Sequence, residues 1–187
     1  MRYIYIIVTC TGTWISKFIR MTTGEKYTHA AIAFDDNPGT MYSFARKYPF
    51  LPLPAGFMEE HTEGKFYRIQ GDIPCMVIRK KVTVKQYYRL KGMIHGIRCR
   101  CDEYKYSLIG LLLCRMGIAA DRPYRFFCSQ FAAWLLEKSE ISSLPKPSSL
   151  MHPVDLTYLD GFETVYEGGL LGWNELISRS ISIAEPA

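Results

Sequence analysis

A cysteine stands at the start of a predicted amphipathic helix in the stretch YRFFCSQFAAWLLEKSE, residues 124–140. A thiolate attacks carbonyl carbons, and unpaired N–H groups at a helix N-terminus stabilise a thiolate. Cys128 is therefore a candidate nucleophile, and its own backbone N–H is a candidate oxyanion donor. Cysteine is also among the most buried residue types, so a structural core thiol is the alternative interpretation.

A nucleophilic thiol needs a base, and the chain offers four histidines: His29, His61, His95 and His152. His29 lies in the apolar stretch YTHAAIAF, which predicts a β-strand. A polar ring in such a strand requires a partner, because an unpaired buried polar group is costly. The small residues that follow His29 leave space for a facing helix. His29 is therefore the candidate base.

A predicted β-hairpin supplies a candidate for the third catalytic position. Turn residues separate the strand of His29 from the strand MYSFAR, and a turn over residues 36–38 places Ala33 opposite Met41. In that register Ser43 lies diagonal to His29 on the same face of the sheet. A slip of one residue would replace Ser43 with Tyr42 or Phe44.

These motifs resemble a known family. The histidine strand YTHAAIAF, the strand MYSFAR, the helix CSQFAAWLLE and the closing HPVDL and FETVYEGG segments are similar to those of circularly permuted NlpC-like papain-fold hydrolases. This branch includes YiiX-like bacterial proteins and lecithin:retinol acyltransferase-like enzymes. His29 precedes Cys128 by about a hundred residues, which is the order that permutation requires. The resemblance spans most of residues 1–168.

The resemblance implies an α+β, permuted papain-like (NlpC-type) fold, in which an antiparallel sheet packs against helices. It also implies that Cys128 is the nucleophile and His29 the base. Relatives usually place His, Asn, Gln or Glu at the third position, whereas this chain has Ser43 at the matching position. A hydroxyl can accept a hydrogen bond from an imidazole, but it stabilises an imidazolium less than a carboxylate does.

A zinc site is the competing interpretation of the remaining thiols. One histidine and three cysteines could be drawn together as ligands: His95, Cys99, Cys101 and Cys114. The C-x-C spacing differs from that of the usual zinc knuckle, and two arginines would stand beside the ion. We therefore predict no metal site, and the chemistry of Cys128 and His29 needs no organic cofactor.

The remaining elements are predicted from local patterns. Strands are expected at residues 2–9, 66–70, 75–80 and 162–169, and helices at residues 84–97, at residues 106–116 and from Cys128 onward. Thr83 and Gln86 form a capping-box pattern before the first of these helices. A short apolar segment at residues 14–21, a proline-rich loop at residues 48–54 and a helical turn at residues 156–158 complete the pattern.

Length and composition favour one domain over residues 1–187, with a tail from about residue 170 that docks on the domain or is flexible. The net charge is +5, but the basic residues are dispersed, which argues against nucleic-acid binding. The longest apolar run near mid-chain is far below the ~20 residues of a membrane span, so no stable membrane insertion is expected. Six cysteines without an export signal indicate a reducing cytoplasm. The pattern leaves the oligomeric state open.

The predicted function is that of a cysteine hydrolase, a peptidase or amidase that cleaves an amide bond in a small peptide or a cell-wall fragment. A lipid acyl hydrolase or acyltransferase would use the same pair of residues on an acyl substrate. A third alternative is a binding module on this fold with weak catalysis, which Ser43 in place of a stronger partner for His29 would fit.

Overall fold

Eight strands form one sheet in the computed structural model, which describes residues 1–11, 24–46 and 55–184. The strands are β1 (Arg2–Thr9), β2 (His29–Phe34), β3 (Asn37–Arg46), β4 (Ala55–His61), β5 (Pro74–Val82), β6 (Lys105–Tyr106), β7 (Arg125–Phe126) and β8 (Glu163–Gly169). The helices are α1 (Lys65–Gln70), α2 (Val84–Cys99), α3 (Leu108–Arg115), α4 (Cys128–Lys138) and α5 (Leu170–Ala184). Two short 3₁₀ segments lie at Ser148–Leu150 and Val154–Tyr158.

The sheet has the order β7-β6-β4-β3-β2-β1-β5-β8. Its neighbours are antiparallel except for the short β6–β7 pair, which is parallel. The fold is therefore mixed α+β with a predominantly antiparallel sheet. Strands β2, β3 and β4 are adjacent, so side chains from three different parts of the chain meet on one face.

Helices cover both faces of the sheet. On one face α2 and α4 pack on the strands, and Phe131 and Leu135 of α4 meet Ala30 and Ile32 of β2 in the larger apolar cluster. On the other face Tyr67 of α1 and the buried first turn of α5 pack against the alternate residues of the same strands. The period of two along each strand explains this division. Of the small residues after His29, Ala30 lies on the face that α4 covers, as the sequence predicted, whereas Ala31 and Ala33 lie on the other face.

Most of the predicted elements are present. The strands at residues 2–9, 75–80 and 162–169 correspond to β1, β5 and β8, and the helices expected from residues 84, 106 and 128 correspond to α2, α3 and α4. The predicted capping box of Thr83 and Gln86 is present and caps the N-terminus of α2. The predicted hairpin register is confirmed, because Ala33 lies opposite Met41 and Ile32 opposite Tyr42.

Two predictions of local structure are wrong. Residues 66–70 form the helix α1 and not a strand; glycines stand on either side, and the C-terminal one, Gly71, has a φ of +73°. The hairpin turns at Asp35 and Asp36, earlier than predicted, because a bulge shifts the register between Ala33 and Phe34. The segments expected at residues 14–21 and 48–54 lie outside the described residues.

The capping box of α2 yields a test of the fold. Gln86 N–H donates to Thr83 Oγ1 at 3.2 Å, and Thr83 N–H donates to Gln86 Oε1 at 3.0 Å. We expect Thr83→Ala to lower the free energy of unfolding by about 1 kcal/mol, because a helix donor loses its acceptor. Thr83→Ser keeps the hydroxyl and serves as the control in urea unfolding. Equal unfolding free energies for the two variants would contradict this role of the cap.

Candidate active site

Four elements bring the candidate site together. β2 begins with His29, β4 carries Glu60 next to its end, β3 between them carries Ser43, and α4 begins with Cys128. The helix α4 packs on β2 and β3, so its first residue arrives beside the start of β2. The structure thus places Cys128 and His29 together, and it adds the carboxylate of Glu60, which no sequence pattern predicted.

The closest charged contact in the site joins His29 and Glu60. His29 Nε2 lies 3.1 Å from Glu60 Oε1, and the two side chains are only 12% and 10% exposed. Because Nε2 faces the carboxylate, Nδ1 is the ring nitrogen that remains available to Cys128. The arrangement is a thiol, an imidazole and a carboxylate in series, which is the pattern of an activated nucleophile.

Glu60 has two further partners, which together use both of its oxygens. The Ser43 hydroxyl donates to Oε1, the oxygen that also contacts His29, and the Tyr67 hydroxyl donates to Oε2 at 2.7 Å. Burial alone would raise the pKa of Glu60, but the charge of His29 and these hydrogen bonds lower it. Glu60 is therefore held as a carboxylate in a nearly buried position.

Cys128 is 5% exposed and lies at the first position of α4. Burial by itself would raise the pKa of its thiol; the hydrogen bond and charge of His29, together with the backbone amides of Ala30 and Ser129, lower the pKa below the ordinary value of 9.0. Ala30 follows His29 on β2, so the strand that carries the histidine also directs an amide to the sulfur. The site therefore favours a thiolate.

The pKa of the His29 imidazole shifts in the opposite direction to that of the Cys128 thiol. Burial would lower the pKa of His29, but the charge of Glu60 and the hydrogen bonds with Cys128 and Glu60 raise it to about 10. A lowered thiol pKa and a raised imidazole pKa favour an imidazolium and a thiolate side by side at neutral pH. Such an ion pair combines a ready nucleophile with a ready proton donor.

The structure corrects the predicted contact of Ser43. Among the described residues, the hydroxyl of Ser43 bonds to Glu60 and not to His29. Ser43 is fully buried on the same face as His29, as the confirmed register requires. Ser43 therefore acts on the imidazole through the carboxylate, and the third position next to His29 belongs to Glu60.

Glu60 is absent from the residues predicted from the sequence because no strand is predicted at β4. The segment AGFMEEH contains two consecutive glutamates, and only strand pairing decides which of them faces inward. Glu60 lies opposite Met41 on the buried face, whereas the neighbouring Glu59 points the other way and forms an ion pair with Arg98 at 3.1 Å. The signal available in the sequence was the period of two, which puts Met58 and Glu60 on one face.

The other three histidines bond to residues outside this pair. His61 contacts Thr40, and His152 contacts Glu25 through Nδ1. His95 Nε2 lies 3.5 Å from Cys99 Sγ on α2, whereas Cys114 lies on the buried side of α3. Over residues 1–11, 24–46 and 55–184, no three His, Cys, Asp or Glu side chains are placed to hold a metal ion together.

A cavity of about 220 Å³ opens beside the imidazole and the carboxylate. His29, Glu60 and Tyr67 form part of its wall, and Lys65 and Phe66 of α1 form another part. A wall with both charges and aromatic rings suits a short polar ligand.

Comparison with known proteins gives no match: no family model, no curated protein and no solved structure matches this chain. Within the described part of the chain, no helix combines the length and the apolar character that crossing a membrane requires.

The ion pair predicts an unusual pH dependence of thiol alkylation. We expect the alkylation rate of Cys128 by iodoacetamide to reach half its maximum below pH 9, the ordinary value for a thiol, and His29→Ala to move this midpoint upward. Burial raises the pKa of Cys75 to about 12, so Cys75 serves as the internal control. The midpoint, read by peptide mapping, reports the pKa independently of access to the sulfur. A wild-type midpoint at or above 9 would contradict the ion pair.

The titration of His29 tests the role of Glu60. We expect Glu60→Gln to lower the pKa of His29 from about 10, because the charge that opposes burial is lost. His29 would then be neutral at a pH where the wild type carries an imidazolium. NMR titration of the imidazole measures this shift. Ser43→Ala, which keeps the carboxylate, and Glu59→Gln, which faces away, are the controls; an equal shift in Glu59→Gln would refute the assignment.

Proposed function

We propose that this chain is a cysteine hydrolase of the peptidase or amidase class, with Cys128 as the nucleophile and His29 as the acid and base. The observation that carries the proposal is the buried series Cys128, His29 and Glu60 at the start of α4. The raised pKa of His29 and the lowered pKa of Cys128 both favour the reactive ion pair. Perturbed groups of this kind concentrate at catalytic sites.

The proposed reaction is an acyl transfer to water in two stages. The thiolate of Cys128 attacks the amide carbonyl carbon, and the imidazolium of His29 gives its proton to the leaving amine as the C–N bond breaks. Neutral His29 then removes a proton from water, which attacks the thioester and releases a carboxylic acid and the thiolate. The backbone N–H of Cys128 is the proposed donor to the oxyanion in both stages.

Glu60 is the proposed third member of this machinery. Its carboxylate stabilises the imidazolium and fixes the ring through Nε2, while Ser43 and Tyr67 hold the carboxylate in turn. A binding module with weak catalysis would fit Ser43 as the direct partner of His29. The carboxylate of Glu60 in that position supports turnover instead.

The permuted papain-like arrangement is the fold that we propose on this basis. Its support is the antiparallel sheet, the helix that begins at the cysteine and the chain order in which the histidine strand comes first. The mixed charges of the cavity wall beside Glu60 favour an amide in a peptide or a cell-wall fragment over a long acyl chain. The proposed mechanism requires no cofactor.

Loss of either member of the pair tests the proposal. We expect Cys128→Ala and His29→Ala each to abolish hydrolysis in a screen of peptide, cell-wall and acyl-ester substrates, with circular dichroism unchanged. Because the two residues act as a unit, the double variant loses little more than either single variant. Cys99→Ala, which removes an exposed thiol, is the control.

Hydrolysis retained by Cys128→Ala would overturn the proposal, as would wild-type inactivity on every substrate class. Additive losses in the double variant would assign separate roles to the two residues.

A further inference from the structure

We propose that the outer face of α3 is a docking surface for an anionic lipid membrane. Large apolar side chains are exposed along this helix and the turn after it: Leu108, Ile109, Leu112, Met116 and Ile118, at 48, 56, 47, 71 and 46%. The proposal goes beyond hydrolysis, because it concerns where the protein binds and not which bond it cleaves.

The exposed side chains of α3 lie on one face. Leu108, Leu112 and Met116 follow one another at intervals of four residues, and Ile109 precedes Leu112 by three. The opposite face is buried, with Leu111 and Cys114 packed against Phe127. One face of the helix packs on the core, and its outer face is also apolar, where a surface helix normally carries polar groups.

The charged residues near this face favour an anionic partner. Residues 104–126 contain four basic residues and one acidic residue: Lys105, Arg115, Arg122 and Arg125, with Asp121. Lys105 and Arg125 are exposed side by side in the β6–β7 pair that leads into and out of the α3 segment. Within the described residues, neither side chain forms an ion pair. An apolar face with unpaired cations at its base fits anionic headgroups above acyl chains.

A second copy of the chain fits this surface less well. Two copies of the face would bring like charges of Lys105 and Arg125 together, and five side chains are few against the roughly 20–30 residues a side of a stable interface. The aromatic ring of Tyr124, 50% exposed beside Arg125, is also typical of a membrane interface. These features favour a lipid surface.

Docking through α3 would place the candidate active site close to the lipid surface. The inner side of the last turn of α3, at Cys114 and Arg115, borders a small internal cavity that Cys128 also borders. The membrane-facing helix and the helix of the nucleophile are thus neighbours. Because binding requires no turnover, the test below is independent of the proposed hydrolase activity.

Vesicle flotation of the full chain tests the docking surface. We expect the wild type to float with vesicles of phosphatidylcholine and phosphatidylserine and to float less with phosphatidylcholine alone, and high salt to weaken binding. Leu112→Glu lowers the partition coefficient about tenfold, because a charge replaces a lipid-facing side chain. Val84→Glu, at a position exposed to 54% on α2, is the matched control and binds as the wild type does.

A second variant is needed because Leu112→Glu could lose binding by failing to fold. The double substitution Lys105→Gln and Arg125→Gln leaves the apolar face intact and removes the preference for phosphatidylserine. Absence of wild-type flotation with either vesicle overturns the proposal. So does a wild-type dimer in size-exclusion chromatography that Leu112→Glu dissociates while flotation is absent, because a second copy then occupies the face. Equal binding to both vesicle types overturns the anionic component.

Discussion

The buried contact between His29 and Glu60 is the interaction on which the site depends. A carboxylate that is 10% exposed loses most of its hydration, so it persists only with a cation and hydrogen-bond donors around it. His29 supplies the cation, and the hydroxyls of Ser43 and Tyr67 supply the donors. Removal of either hydroxyl leaves the buried carboxylate less well compensated, and the position of the imidazole that it holds becomes less fixed.

This requirement explains why the site extends over three adjacent strands and a helix on each face. Glu60 is held from β3 by Ser43 and from α1 by Tyr67, so both layers of the fold contribute to its position. On the opposite face, α4 packs its aromatic and aliphatic residues on β2. That packing fixes the position of Cys128 relative to His29. The buried ion pair and the apolar layers therefore depend on each other.

The thiolate of Cys128 has a different source of stabilisation. Phe127 precedes the helix and provides no side-chain cap, so the first amides of α4 are directed to other acceptors. One of these amides, from Ser129, and one from Ala30 of β2 stabilise the sulfur, in addition to the charge of His29. The strand amide comes from Ala30, the residue that follows His29 on β2. The nucleophile is thus activated by amides of a helix start and of a central strand.

The sequence alone determined the elements whose signal is local. The capping box of Thr83, the turn-rich hairpin and the cysteine at a helix start follow from short-range patterns, and they placed His29, Ser43 and Cys128 correctly on their elements. Tertiary structure decided that residues 65–70 form a helix, and it decided which glutamate of β4 turns inward. Both decisions depend on long-range contacts: Tyr67 and Glu60 reach each other only when α1 folds back over the sheet. Periodicity alone assigns neither a partner nor a face to a short strand, because both come from the strands beside it.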